Sequence, residues 1–207
     1  KTNIPPAALE ALDEMKRKKK FDYILKDIGH LIAQSLDGSE RVKRIVSDLK
    51  AFSRMEDDIP VMEDINGGLE STINIVWNEI KYKAELEKDL GELPHTRCNI
   101  SRLNQVFMNL LVNAAQAIEK QGKITVRTRS DGNDIFVSVA DTGAGISQEN
   151  LKKVFDPFFT TKEKSAGTGL GLSISYDIIK KHGGEITVES QTGEGSTFTV
   201  RIPIVKS

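Results

Sequence analysis

The stretch Asn104-Gln105-Val106-Phe107-Met108-Asn109-Leu110-Leu111-Val112-Asn113-Ala114-Ala115-Gln116-Ala117-Ile118 decides how this chain is read. Val106, Leu110, Ala114 and Ile118, joined by Phe107 and Leu111, recur at helical spacing and form one apolar stripe. Asn109 and Asn113 therefore share another face, one turn apart. Asparagine is a poor helix former, so two of them inside a packed helix need a reason beyond local stability. Two reasons suit them. The amides can bridge neighbouring loops, or their hard, neutral oxygens can ligate Mg²⁺, which takes one or two protein oxygens and completes its shell with water and phosphate.

Working outward, Ile135, Val137 and Val139 alternate with polar neighbours as a half-buried strand that runs into Asp141-Thr142-Gly143-Ala144-Gly145-Ile146. The glycines let the backbone come close to a ligand, and the aspartate at the strand end can face a flat donor such as the exocyclic amine of adenine. As a bare pattern it is also an ordinary tight turn. Next come Phe155-Asp156-Pro157-Phe158-Phe159-Thr160-Thr161-Lys162, a polar run, and Gly167-Thr168-Gly169-Leu170-Gly171-Leu172-Ser173-Ile174, which opens a helix continuing through Ile178 and Ile179. A glycine-flanked helix N-terminus offers unpaired N–H groups and a positive dipole end to phosphate. It is not a Walker A loop, because no Gly-Lys-Ser/Thr follows, and not a dinucleotide fingerprint, because the glycines follow a loop. The segment from Phe158 to Thr168 reads as a lid, with a glycine-rich surface loop as the plainer alternative. Each motif is weak alone; their order together reads as a nucleotide site.

With those residues quoted, residues of about 60 to 207 resemble the ATP-binding catalytic domain of sensor histidine kinases, within the wider group of gyrase, Hsp90 and MutL. The resemblance implies a two-layer α/β sandwich of Bergerat type, and ATP and Mg²⁺ as ligands. It implies that Asn113 holds Mg²⁺ with Asn109 close by, and that Asp141 recognises the adenine amine. Gly143 and Gly145 would line the base pocket with Ile146, while Gly167, Thr168, Gly169, Leu170 and Gly171 would meet the phosphates. Thr197 matches the family's late-strand threonine near the adenine, and Lys162 is expected to contact phosphate. Gln116 departs from the pattern, since many relatives carry a basic residue there. The ATPase relatives place a glutamate general base one turn before the Mg²⁺-binding asparagine; here that position is Asn109, and an amide cannot accept a proton. The γ-phosphoryl group would then wait for a histidine on a helical dimerisation domain, for relay to an aspartate of a response-regulator receiver domain.

The first sixty residues test whether that histidine is present. Ile24, Ile28, Leu31, Ser35, Gly38, Val42, Ile45, Leu49 and Phe52 keep a 4-3-4-3 spacing, a heptad seam that homodimerisation would bury. His30 lies on this helix but is followed by Leu31-Ile32-Ala33, with neither an adjacent carboxylate nor a following proline. It therefore reads as a bundle-surface histidine, the stretch as the second dimerisation helix, and the acceptor helix is expected upstream of Lys1. His182 precedes Gly183-Gly184 at a helix end, and His95 sits in a loop; neither has a metal-ligand partner at useful spacing.

Composition fits two modules in an α+β chain of 207 residues, 38% of them apolar, with a net charge of -1. No nucleic-acid partner is implied; Lys16-Arg17-Lys18-Lys19-Lys20 reads as a solvated connector. The single Cys98 excludes a disulfide framework and suits a reducing, cytoplasmic compartment. No apolar run is long enough to span a bilayer, so any membrane attachment would come from parts outside this chain. The expected domains are a partial helical dimerisation segment over 1–56, a linker and entry over 57–65, and the ATP-binding domain over 66–207. Within the last, helices are expected at 66–80, 101–120, 148–154 and 170–181, and strands at 84–90, 123–130 and 134–140. A closing hairpin turns through Thr192-Gly193-Glu194-Gly195. The leading function is phosphoryl donation within a histidine kinase; a silent nucleotide-binding dimerisation module and a hydrolase of the gyrase and Hsp90 type are the alternatives.

Overall fold

The computed structural model describes residues 5–18, 23–25, 27–36, 38–39, 59–161 and 167–206. The seam positions from Val42 to Phe52, the acidic stretch Glu56-Asp57-Asp58 and Lys162 lie outside those residues. Near the N-terminus, α1 spans Pro6–Lys18, and residues 27–36 are helical with His30 exposed among them. Ile24, Ile28 and Leu31, the described apolar members of the seam, are exposed in the single chain.

From residue 61 onward the elements run β1 (Val61–Glu63), α2 (Ile65–Ile80), β2 (Ala84–Leu90), β3 (Thr96–Cys98), α3 (Ile100–Ala117), β4 (Gly122–Ser130) and β5 (Asp134–Asp141). They continue with α4 (Gln148–Leu151), α5 (Gly171–Lys181), β6 (Glu185–Gln191) and β7 (Gly195–Pro203). Five strands form one sheet in the order β2-β4-β5-β7-β6, in which β2 and β4 are parallel and the other neighbours antiparallel. The inner strands β4, β5 and β7 alternate, because one face of the sheet is buried and the other is not. Ile135, Val137 and Val139 of β5 and Phe198, Val200 and Ile202 of β7 point into the core, where the apolar faces of α2, α3 and α5 cover them. The fold is thus α+β, a mixed sheet under a layer of helices.

The expected elements fall within a few residues of those observed, with two exceptions. Residues 61–63, read as linker, pair as β1 with β3 in a separate two-stranded ribbon, Val61 opposite Cys98 and Glu63 opposite Thr96. Two three-residue strands are too short to show an alternation in sequence. In the ribbon the Cys98 thiol is buried, and burial together with the neighbouring Glu63 carboxylate pushes its pKa up to about 11, which makes it an inert core residue.

The helix α3 is the spine of the helix layer. Asn99 caps its start, its side chain accepting from the Arg102 N–H at 3.0 Å. Leu103, Phe107, Leu110 and Leu111 are wholly buried on the stripe seen in the sequence, each burial contributing about 1.5–3 kcal/mol. Both α2 and α5 pack against α3, so residues on its flanks face one helix or the other. Asn66 ties α2 to the sheet, its amide donating to Gly91 O at 2.9 Å and accepting from the Thr128 hydroxyl at 2.9 Å.

Candidate functional site

The carboxylate of Asp141 ends β5 on the helix-facing side of the sheet, only 7% exposed. Its Oδ1 accepts the Gly143 N–H at 2.8 Å, an Asx-type closure that turns the chain out of the strand. Burial pushes the Asp141 pKa above the usual carboxylate range, with the backbone N–H groups of Gly143 and Ser196 pulling it partly back. A carboxylate desolvated in this way gains more from a hydrogen-bond donor than an exposed one does.

Around it the turn is tied on two sides. The Ala144 N–H donates to Ala117 O at the end of α3 (3.0 Å), and Ala144 O accepts from Gly193 N–H in the β6–β7 turn (2.8 Å). The Ile146 N–H donates to Ser190 Oγ at 2.8 Å, which lodges Ile146 against the core. The structure thus brings Asp141, Gly143, Gly145 and Ile146 into one turn fixed to the end of α3.

Thr197 does not join that group. It stands opposite Ala140 on the other face of the sheet, because side chains alternate along β7 and its neighbour Ser196 is the residue opposite Asp141. Ser196 is buried, and its hydroxyl lies 3.0 Å from Ser190 Oγ. Ser190 has one proton, which it gives to Gly195 O at 2.7 Å, so Ser196 must be the donor to Ser190 and keeps its own lone pairs as acceptors. The register missing from the sequence was the signal that separates Ser196 from Thr197.

A second contact joins α3 and α5. The Asn109 amide donates to Gly171 O at 2.9 Å and to Ser175 Oγ at 3.2 Å, and Ser175 in turn donates to Gly171 O at 2.8 Å. Both amide hydrogens are therefore spent on the N-terminal part of α5, so Asn109 does bridge two elements. Asn113 lies one turn further along α3, half-buried.

The start of α5 differs from those of α3 and α4, which Asn99 and Ser147 cap with their side chains. Leu170 occupies the cap position of α5 and has no side chain that can bond the first-turn N–H groups. Ahead of it Gly169 takes φ +68°, and a Cβ there would fall 2.4 Å from the Phe158 carbonyl carbon, so only glycine lets the turn close over the preceding segment. Phe158 itself has φ +66° and is exposed, and Phe155 stacks at a tilt on Tyr176 of α5 with centroids 5.7 Å apart. The glycine-rich turn with Gly167 and Thr168 thus sits directly on the first half of the expected lid.

Two features flank α3: a buried carboxylate at a strand end is tied to its C-terminus, and the start of α5, whose cap residue is Leu170, is bridged to it by Asn109. Among the described residues no three His, Cys, Asp or Glu side chains converge, so a divalent cation would have to rely on amide oxygens, water and ligand phosphate. That donor set fits Mg²⁺ bound through a phosphate and does not fit a resident transition metal.

A family described as histidine kinase-, DNA gyrase B- and HSP90-like ATPase matches residues 98–206. Sensor histidine kinase ZraS of Escherichia coli (strain K12) is 35% identical over 179 residues, 85% of this chain and 38% of that protein. The signal transduction histidine-protein kinase AtoS of the same organism is 34% identical over 97% of this chain and 33% of its own length. The chain therefore spans between a third and two fifths of these two curated relatives. Among solved structures, the catalytic domain of histidine kinase ThkA superimposes with a TM-score of 0.63 at 32% identity, covering 70% of this chain and 98% of that domain. ThkA in complex with the response regulator protein TrrA gives a TM-score of 0.67 at 26% identity, over 81% of this chain and 49% of that one.

Proposed function

Since this chain belongs to the histidine kinase-, DNA gyrase B- and HSP90-like ATPase family, and its ATP-binding domain is of the sensor histidine kinase kind, we propose that it is the phosphoryl-donating part of a two-component sensor kinase. It transfers the γ-phosphoryl group of ATP to a histidine of a dimerisation helix, for relay to a response-regulator aspartate. The observation that carries this reading is Asn109. Where a hydrolase needs a carboxylate to activate water, this chain has an amide whose hydrogens are held by Gly171 O and Ser175 Oγ.

In this reading Asp141 accepts the N6 amine of adenine, with Ser196 beside it as a second polar group and Ile146 as an apolar wall. The first turn of α5, whose cap residue Leu170 has no side chain to bond its N–H groups, receives the phosphates on its N-terminal N–H groups. Asn113, with Asn109 close by, would hold Mg²⁺, which supplies charge neutralisation on the phosphates. The residues then act by positioning and electrostatics, the usual share of the protein in phosphoryl transfer. Lys162 and the rest of the lid add a phosphate contact, and the exposed Ile24, Ile28 and Leu31 pack against a second copy of the helical segment. His30, exposed on that segment, is not the acceptor.

The test is transfer of label from γ-labelled ATP to a separately supplied acceptor-helix domain. The expected product is acid-labile and base-stable phosphohistidine on that domain, with slow ATP turnover by this chain alone. Intact ATP binding without any transfer would reduce the chain to a nucleotide-binding module, and steady turnover without an acceptor would make it a hydrolase.

A further inference from the structure

The helix-side face of the sheet changes character at one end. Across β5, β7 and β6 its residues stand in rows, first Val137, Val200 and Ile186, then Val139, Phe198 and Val188, all of them apolar. The next row is Asp141, Ser196 and Ser190, three polar residues side by side. Hydroxyls and carboxylates in such a place cost free energy unless each is hydrogen-bonded. Ser190 is fully used. Its Oγ accepts the Ile146 N–H at 2.8 Å, donates to Gly195 O at 2.7 Å and lies 3.0 Å from Ser196 Oγ. A hydroxyl has one proton and two lone pairs, so the third contact is an acceptance from Ser196. A residue one strand away thereby fixes the direction of the Ser196 hydroxyl. Ser196 is only 6% exposed, and its backbone N–H is near enough to the Asp141 carboxylate to draw that pKa down. The row therefore holds two neighbouring acceptors, a carboxylate and a hydroxyl oxygen whose proton is committed elsewhere.

We propose that Ser190 is a positioning residue for base selection: by taking the proton of Ser196 it makes that hydroxyl an acceptor, so that a nucleotide must present a hydrogen-bond donor to Asp141 and Ser196. This rests on the reading of Asp141 as the adenine contact. The six-position amine of adenine has two hydrogens to give, whereas an oxygen at that position has only lone pairs, which would meet lone pairs here. A site of buried polar groups rejects the unmatched base strongly, because its own groups are then left unpaired. Once Ser190 no longer holds it, the Ser196 proton can turn toward such an oxygen, and discrimination falls. Ser190 acts through Ser196 and not on the base.

The experiment is calorimetric titration of this chain, with Mg²⁺ present, against ATP and against 6-methoxypurine riboside triphosphate, whose base carries an acceptor oxygen in place of the amine. Both share the triphosphate, so the ratio of their affinities cancels the phosphate and metal contribution. The parent should prefer ATP, and Ser190→Ala should shrink that ratio about tenfold. Ser190→Cys, which fills the same space with a weak acceptor, should do the same and serves if Ser190→Ala does not fold. Ser190→Thr keeps the hydroxyl and should restore the parent ratio. In a Ser196→Ala background, Ser190→Ala should leave the ratio where it stands, since nothing remains for it to orient. A merely structural role would lower both affinities together. An unchanged ratio in Ser190→Ala or Ser190→Cys, a ratio in Ser190→Thr as low as theirs, or an undiminished effect in the Ser196→Ala background would overturn the proposal. Asp141→Asn separates this inference from the reading beneath it. A parent-like ratio in that variant removes Asp141 as the base contact and this inference with it, whereas a lost ratio there beside an unchanged one in Ser190→Ala removes this inference alone.

Discussion

The two ends of α5 are built from similar residues and finish in opposite states. At its C-terminus Gly183 takes φ +69°, Gly183 N–H reaches Lys180 O at 2.9 Å and Gly184 N–H reaches Ile179 O at 2.9 Å, a complete Schellman closure reinforced by His182. At its N-terminus glycines also flank the helix, but the cap residue is Leu170, whose side chain cannot take the first-turn N–H groups. Glycine therefore does two jobs here. In one place it completes the hydrogen bonding of the helix, and in the other it lets the chain pass close to Phe158. The difference locates function better than the glycines themselves do.

Substitutions at the two ends should separate affinity from stability. The largest effect is expected at the open end, where Asn113→Ala should lower Mg²⁺-dependent ATP affinity by about a hundredfold or more, read by calorimetry with and without Mg²⁺, while the circular dichroism spectrum stays unchanged. At the closed end, Gly184→Ala would place a Cβ 2.2 Å from Arg201 O. That should cost roughly 2–3 kcal/mol in chemical denaturation and leave the ATP affinity of the folded fraction as it was. His182→Ala at the same end removes the acceptor of Asn99 N–H, and a loss of about 1–2 kcal/mol should follow, with faster amide exchange at the start of α3.

The smallest effect is a pH dependence at Asp141. Its folded pKa is raised above the ordinary value, so the folded state holds this proton where the unfolded chain has lost it. Stability from this group is full below the unfolded pKa and falls as pH rises through the folded one. The nucleotide-free Asp141→Asn variant should therefore melt slightly higher than the parent at neutral pH while discriminating adenine less well. A lower melting temperature for that variant at pH 7 would contradict the burial argument.

Much of this was legible in the sequence for a physical reason. The stripe on α3 and the alternation in β4 and β5 are long enough for their period to show, and the core they predicted is the core observed. Glycine and asparagine punctuation located the turns within a few residues. What stayed hidden depends on pairing between distant segments. β1 and β3 exist only because Val61–Glu63 finds Thr96–Cys98, and Ser196 displaces Thr197 beside Asp141 only through the register of β5 against β7. The bridge from Asn109 to α5 also needs residues some sixty positions apart to meet, which no local spacing reports.

The central claim is that a buried carboxylate reads adenine while asparagine amides and an open helix end hold the Mg²⁺-bound phosphates. Isothermal titration calorimetry of this chain with ATP and with GTP, each with and without Mg²⁺, tests it most directly. Saturable heat that requires Mg²⁺, with ATP bound far more tightly than GTP, is the predicted result; equal affinity for the two nucleotides, or no heat from properly folded protein, would contradict it.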